Sequence, residues 1–276
     1  MTGVEVVPSD KGLAWIRFGT PDRPTVLSHT LIQELTAVVH QTASDPAIRV
    51  LVLEGQPGWF CVGADLGVYT TGTDRDAREY LGCLTSLFRA IWESPTVVVA
   101  AMSGLVLGGG SELALWCDLR VCSDDVSIGF PETGIGAIPG AGGVQILSRL
   151  VGLSVANQMV LTGERMSGPR AAELGLVHAC VPASDLNDRL RSLVDRIAGL
   201  SPVGLGSAKR MLHASLDASL DASLAMGLEA MHLAMFLGDA VEGISAFFQR
   251  RAPDFDADRG TALFAASQLR REEAVP

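Results

Sequence analysis

The sequence predicts an α/β core with crossover connections, followed by an all-helical C-terminal part. Three observations carry this. Short Val- and Ile-rich segments, bounded by Gly, Pro or Asp, alternate with segments of helical period up to about residue 183. From Ser184 onward the strand signal fades and helical segments follow one another. The 276 residues are 48% apolar and 19% charged, enough to build a sizeable core in one or two domains. The expected division is therefore residues 1–183 and 184–276.

In chain order, the strand-like segments are Leu13–Phe18, Val50–Leu53, Val97–Met102, Leu119–Cys122, Ser127–Phe130 and His178–Val181. Each is short. Helical patterns lie between them at about 30–43, 76–93, 111–117, 142–151 and 153–162. Beyond Ser184 the helical segments are Leu186–Leu200, Pro202–His213, Leu216–Leu237 and Asp239–Arg250. Within the third of these, SLDASLDASLAMG repeats every four residues and sets Leu216, Leu220 and Leu224 in one stripe. Such a stripe packs on a core or on a partner subunit. No linker-like composition separates the two parts, so they are expected to pack together.

Charge and cysteine usage narrow the function classes. A net charge of −10 repels phosphate backbones, so no nucleic-acid partner is expected, although a small anionic ligand fits a locally positive site. The five cysteines, Cys61, Cys83, Cys117, Cys122 and Cys180, form no CxxC pair and read as reduced thiols of a cytoplasmic protein. The start MTGVEVVPSDKG has no basic region followed by an apolar block, so no signal peptide is expected. The most apolar run, Val97–Met102, is too short to cross a bilayer, and no membrane partner is expected. No HxH, HxxxH or CxxC pattern offers metal ligands, so no metal is expected.

The chemistry concentrates in glycine-rich segments. The 30 glycines exceed the usual share of about 7%. In GLVLGGGSELALWCD a strand runs through glycines into an Ala/Leu-rich helix beginning near Gly110 and Ser111. A helix N-terminus presents unpaired N–H groups and a partial positive charge. Glycine there lets a ligand reach the amide without a Cβ in the way. The N–H of Gly109 or Gly110 suits a carbonyl oxygen that becomes negative during reaction. Glu112, in the first helical turn, is placed close to that oxygen, though a first-turn Glu also simply favours the helix dipole. In SIGFPETGIGAIPGAGGVQIL, Glu132 follows the strand in a glycine-rich loop, and a helix starts near Gly142. Paired carboxylates suit a reaction that needs a base on one atom and an acid on its neighbour. A third segment, WFCVGADL, offers N–H groups in a tight turn after RVLVLEG, so that two amides from separate segments can form an oxyanion hole.

Taken together, FCVGADL, GLVLGGGSELALWCD and FPETGIGAIPGAGG resemble the enoyl-CoA hydratase/isomerase, or crotonase, superfamily. LTGERMSGPRAAELGLVHACVP and DAVEGISAFFQRRAPDF are similar to that family's later segments, so the resemblance covers nearly the whole chain. It implies a spiral of ββα repeats with a C-terminal helical trimerisation region, assembled as a homotrimer or a dimer of trimers. It assigns the oxyanion-hole amides to Ala64 and Gly109, and the two hydratase glutamates to Glu112 and Glu132. Gly140 matches a glycine whose N–H holds the water. Val62, Asp65, Leu66 and Gly108, in the same segments, are expected to line the substrate. The implied reaction adds water across a 2-enoyl-CoA thioester, with no cofactor beyond the coenzyme A of the substrate itself.

Three positions depart from the family pattern. Gly67 stands where many members carry a lysine near the CoA phosphates. Arg23-Pro24-Thr25-Val26-Leu27-Ser28-His29 lacks the Asn-Ala pair of the R-P-x-x-x-N-A motif. Arg23, with Arg250 or Arg251, is left to hold the phosphates. Alternatively the acyl group arrives on a carrier protein, and the reaction is a double-bond isomerisation or a biosynthetic dehydration or decarboxylation. A non-catalytic acyl-CoA-binding subunit is a third reading, which the two intact glutamates oppose. Trp116, four residues after Glu112 and on the same helical face, takes the place of a smaller residue. It either packs in the core or shortens the acyl pocket. The segment after the GAD turn, LGVYTTGTDRDAREYL, is polar and glycine-bearing up to about Asp76 and reads as a mobile wall of that pocket.

Overall fold

The computed structural model describes residues 3–7, 12–236 and 239–255. The chain divides into two compact units, residues 1–198 and 199–276.

The first unit opens with strands β1 (Val4–Val7) and β2 (Leu13–Phe18), helix α1 (His29–Ser44), and strands β3 (Val50–Glu54) and β4 (Trp59–Cys61). Helices α2 (Gly67–Thr71) and α3 (Asp74–Glu93) follow. Next come β5 (Val97–Met102), β6 (Leu105–Leu107), helix α4 (Gly109–Trp116), β7 (Leu119–Ser123) and β8 (Ser127–Gly129). A 3₁₀ turn, Pro131–Ile135, leads to helix α5 (Gly143–Thr162). The unit closes with β9 (Met166–Ser167), α6 (Gly168–Glu173), β10 (Ala179–Val181), a 3₁₀ turn and α7 (Leu186–Ala198). The second unit contains α8 (Pro202–Ala214), α9 (Leu220–Phe236) and α10 (Asp239–Gln249), with α9 packed against both of the others.

Two sheets organise the first unit. One has the order β1-β2-β3-β5-β7-β10, the other β4-β6-β8-β9. The strands β2, β3, β5, β7 and β10 run parallel, with β1 antiparallel at the edge. Each turn of the chain places one strand in each sheet: β3 then β4, β5 then β6, β7 then β8. Successive turns stack in parallel register, so Val50 faces Val97 in one sheet and Trp59 faces Leu105 in the other. This is the ββα spiral.

Local chemistry sets the element ends. Ser28 caps α1, its Oγ accepting from the Leu31 N–H at 3.3 Å. Thr73 and Asp76 form a reciprocal capping box that starts α3. All six residues of β5, VVVAAM, are buried, as expected of a strand covered on both faces. By length and apolar content α5 would reach across a bilayer. Its backbone breaks at Gly152 (φ 77°), where the sequence divides it into two helices, and it buries Leu147, Ala156, Met159 and Val160 in the core.

Several elements differ from the sequence reading. The segment after the GAD turn, given no element from the sequence before residue 76, forms α2 and the capped start of α3, and Glu132 lies in a 3₁₀ turn rather than a loop. The three-residue strands β4 and β6 are too short to show a period of two. α7 packs on β3 and β7, with the Arg191 guanidinium 5.8 Å from the Trp15 ring centroid, so it lies in the first unit. The boundary at 198 thus falls one helix after the sequence division at 183. α9 begins at Leu220 because Ser219 Oγ accepts from the Ala222 N–H at 3.3 Å and supplies the cap. Leu216, Leu220 and Leu224 are exposed in the single chain. Leu237, the expected end of this helix, lies outside the described residues.

The close contact of α4 with β4 gives a direct test. A Cβ on Gly110 would sit 2.2 Å from the Cys61 carbonyl oxygen, which is backbone and cannot step aside. A Cβ on Gly82, on the exposed side of α3, would meet nothing within 4 Å. Gly110→Ala should therefore cost at least about 1–3 kcal/mol in urea unfolding. Gly82→Ala should gain about 0.5–1 kcal/mol.

Candidate active site

The site is assembled from backbone first. After β4 the chain turns through Val62, Gly63 and Ala64. Val62 N–H donates to the Thr25 carbonyl at 2.8 Å, and Leu27 N–H donates to the Gly63 carbonyl at 2.8 Å. Tyr80, fully buried on α3, closes the turn from the other side. Its O–H donates to the Leu27 carbonyl at 2.6 Å and accepts from the Asp65 N–H at 3.1 Å. Against this turn lies the start of α4. A Cβ on Gly109 would be 3.2 Å from the Ala64 nitrogen. The backbones of the two segments therefore pack against each other at Ala64 and Gly109. The Gly109 N–H, at the helix N-terminus, has no intrahelical acceptor.

Two carboxylates lie nearby, Glu112 on α4 itself and Glu132 against Gly108. Glu112, 3% exposed, sits in the first turn of α4. Its Oε1 accepts from the Ala141 N–H at 2.8 Å and the Gly143 N–H at 2.9 Å. Burial pushes its pKa up to about 7; the two N–H groups pull the other way, and the charge of Glu132 adds to the rise. Glu132 Oε1 lies against Gly108, where a Cβ would come within 3.0 Å of it. Its Oε2 is buried and accepts no hydrogen bond from the described residues. Burial raises the pKa of Glu132 as well. Tyr69 on α2 also faces Glu112: burial first, then the Glu112 charge, raises its phenol.

The remaining expected positions are distributed around this centre. Gly108 is the N-cap of α4 at φ 53°. Gly140 is exposed and directly precedes Ala141, which with Gly143 supplies the amides that grip Glu112. Val62 is half-buried, Leu66 is exposed, and Asp65 Oδ1 accepts from the Gly67 N–H at 3.0 Å. Arg23 is exposed on the rim of a cavity of about 250 Å³ shared with Thr20, Thr25, Ser28 and Glu34. Arg250 and Arg251 belong to the second unit, where Glu242 engages the Arg251 guanidinium. Trp116 is half-buried and donates its indole N–H to the Ala141 carbonyl at 2.8 Å.

Sequence reasoning missed Tyr80, Ala141 and Gly143. Tyr80 acts 15 and 53 residues away along the chain, so no local pattern announces it. The GAGG run was visible, but which of its amides meet Glu112 depends on how the turn closes onto α4.

The raised carboxyl of Glu112 has a sign that can be checked. The folded state holds its proton up to about pH 7, whereas an ordinary Glu releases it near 4.5. Between those values the folded chain binds more protons than the unfolded chain, so stability falls as pH rises through that window. Glu112→Gln abolishes this term. The variant should be more stable than the parent at pH 8, by up to about 3 kcal/mol, with the gap closing toward pH 5. Urea unfolding at the two pH values measures the gap.

Comparison with known proteins identifies the family. Residues 9–258 match the family model described as enoyl-CoA hydratase/isomerase. A 2,3-dehydroadipyl-CoA hydratase of Escherichia coli is 34% identical over 91% of this chain and 97% of its own length. A probable mitochondrial enoyl-CoA hydratase 2 of Arabidopsis thaliana is 33% identical over 89% of this chain and 82% of its own. Among solved structures, an enoyl-CoA hydratase from Bacillus anthracis superposes with a TM-score of 0.88 at 31% identity, covering 92% of this chain and 98% of the other. On the fold, the motifs and these matches, the chain belongs to the enoyl-CoA hydratase/isomerase family.

Proposed function

We propose that this chain is an enoyl-CoA hydratase whose acid–base pair is Glu112 and Glu132. One observation carries the reading: the Ala64 and Gly109 backbones pack against each other, and a buried carboxylate, Glu112, on the same helix and a half-buried one, Glu132, against Gly108 lie next to that contact. The thioester carbonyl oxygen binds these two N–H groups. Water attacks the β carbon, forming the C–O bond, while the C=C pair shifts to give an enolate whose negative oxygen the two amides stabilise. Losing one such donor typically costs about 10²–10³ in rate. Glu112 and Glu132 hold the water between them; one removes its proton and the pair returns a proton to the α carbon. The sum is one water added across the double bond, with both carboxyls restored.

A carboxylate pair does this only if one member is charged while the other carries a proton. Burial that raises both groups, with Glu112 near neutrality, supports that division at physiological pH. The departure at Ser28 has a local cause, since its hydroxyl caps α1. It therefore gives no support to a carrier-bound substrate. Coenzyme A belongs to the substrate in this reading, and the assembly is a homotrimer or a dimer of trimers, as the family resemblance implies.

Loss of the enoyl-thioester absorbance should report hydration of crotonyl-CoA, decenoyl-CoA or 2,3-dehydroadipyl-CoA by the purified protein. Glu112→Gln and Glu132→Gln should each lower the rate at least about 10²-fold. Full activity in both variants overturns the reading. Turnover of 3-enoyl or carrier-bound substrates alone would assign the site to isomerisation or biosynthetic chemistry instead.

A further inference from the structure

Helix α4 touches the 141–143 turn twice. Near its start, the Glu112 carboxylate takes the Ala141 and Gly143 N–H groups. One turn later, the Trp116 indole N–H donates to the Ala141 carbonyl at 2.8 Å. Residues four apart lie on one helical face, so both grips come from the same side. The turn has little freedom between them. Gly142 sits at φ 108°, and a Cβ there would come within 2.7 Å of Trp116 Nε1 and Cζ2. The indole is itself fixed from α3: it stacks on Phe88 with centroids 6.0 Å apart and meets Trp92 edge to face at 5.3 Å. Its N–H thus holds the Ala141 peptide in one orientation, with the carbonyl toward the aromatic cluster and the amide toward Glu112.

We propose that Trp116 is a positioning residue for Glu112, its indole N–H and ring locking the 141–143 turn so that two amides hold the carboxylate in place. This accounts for a large aromatic one turn beyond the glutamate without making it part of the acyl pocket. It rests on the reading of Glu112 as an acid–base group. The titratable groups that face Glu112 are Glu132 on the 3₁₀ turn and Tyr69 on α2, and neither touches the indole hydrogen bond.

The test removes the N–H and keeps the ring. Trp116→Phe does so with a smaller ring. A benzothienyl-alanine installed at position 116 keeps the indole's shape and stacking without the donor, so packing survives. The first readout needs no substrate: the Glu112 carboxyl carbon is followed by NMR across pH, its resonance assigned by its loss in Glu112→Gln. Amides bound to a carboxylate favour its charged form. Loosening them should move the midpoint up by about half a pH unit or more. The second readout is kinetic: kcat should fall about 10-fold or more with KM changed less than about 2-fold, the pattern of a misplaced acid–base group rather than weakened binding. An unmoved Glu112 midpoint in both variants overturns the proposal. So does an altered chain-length preference at unchanged kcat, which would make Trp116 a pocket wall. A parent protein inactive on every enoyl thioester would remove the hydratase reading, while the NMR titration would still decide the role of Trp116.

Discussion

The site depends on one backbone-to-backbone contact. The first turn of α4 presses onto the Cys61–Ala64 turn so closely that Gly110 has room for no side chain and Gly109 has little. A Cβ on Gly110 would enter the Cys61 carbonyl, and one on Gly109 would crowd the Ala64 nitrogen. Of the three consecutive glycines ahead of Glu112, Gly109 and Gly110 are therefore set by packing, and Gly108 by its positive φ of 53°. The spiral supplies the rest, because β4 and β6 are neighbours in one sheet and deliver the two turns to the same edge. Tyr80 then holds the Leu27 and Asp65 backbones that flank Ala64.

Once the amides are fixed, burial does the electrostatic tuning. Glu112 is almost wholly covered, and desolvation alone would leave it a weak acid of little use as a base. The Ala141 and Gly143 N–H groups oppose that rise and bring it to about 7, where either protonation state is within reach. Glu132 receives no such help on Oε2. Two interacting carboxyls with different hydrogen-bond support are what the proposed sharing of one proton between them requires.

The division between what was legible in the sequence and what was not follows the range of the interactions. Helix ends set by local caps, such as Thr73–Asp76, and buried strands such as Val97–Met102 are written in adjacent residues. The glycine run, Glu112 and the GAD turn were equally plain, because glycine before a helix has few uses. The strands β4 and β6, the helix α2 and the place of α7 were not, since each is set by sheet pairing or packing from elsewhere in the chain. The same holds in the site. Trp116 was visible as an oddity, but its partner is the Ala141 carbonyl, 25 residues away.

The far end of α4 completes the argument. Arg120 is buried, and its guanidinium donates to the carbonyls of Cys117 at 2.7 Å, Leu176 at 2.8 Å, Ala114 at 3.2 Å and Leu115 at 3.4 Å. Burial weakens its hold on the proton, yet an arginine stays charged at any ordinary pH. A buried cation without a partner would be costly. Here its partners include the carbonyls that a helix C-terminus leaves unpaired. The positive charge sits at the negative end of the α4 dipole, while the positive end points at the site. With only eight residues, α4 needs both ends satisfied to keep its register. Arg120 thus anchors from behind the same helix that carries Gly109 and Glu112 in its first turn, and the rigidity that the proposed reaction asks of them is supplied from the opposite end of α4.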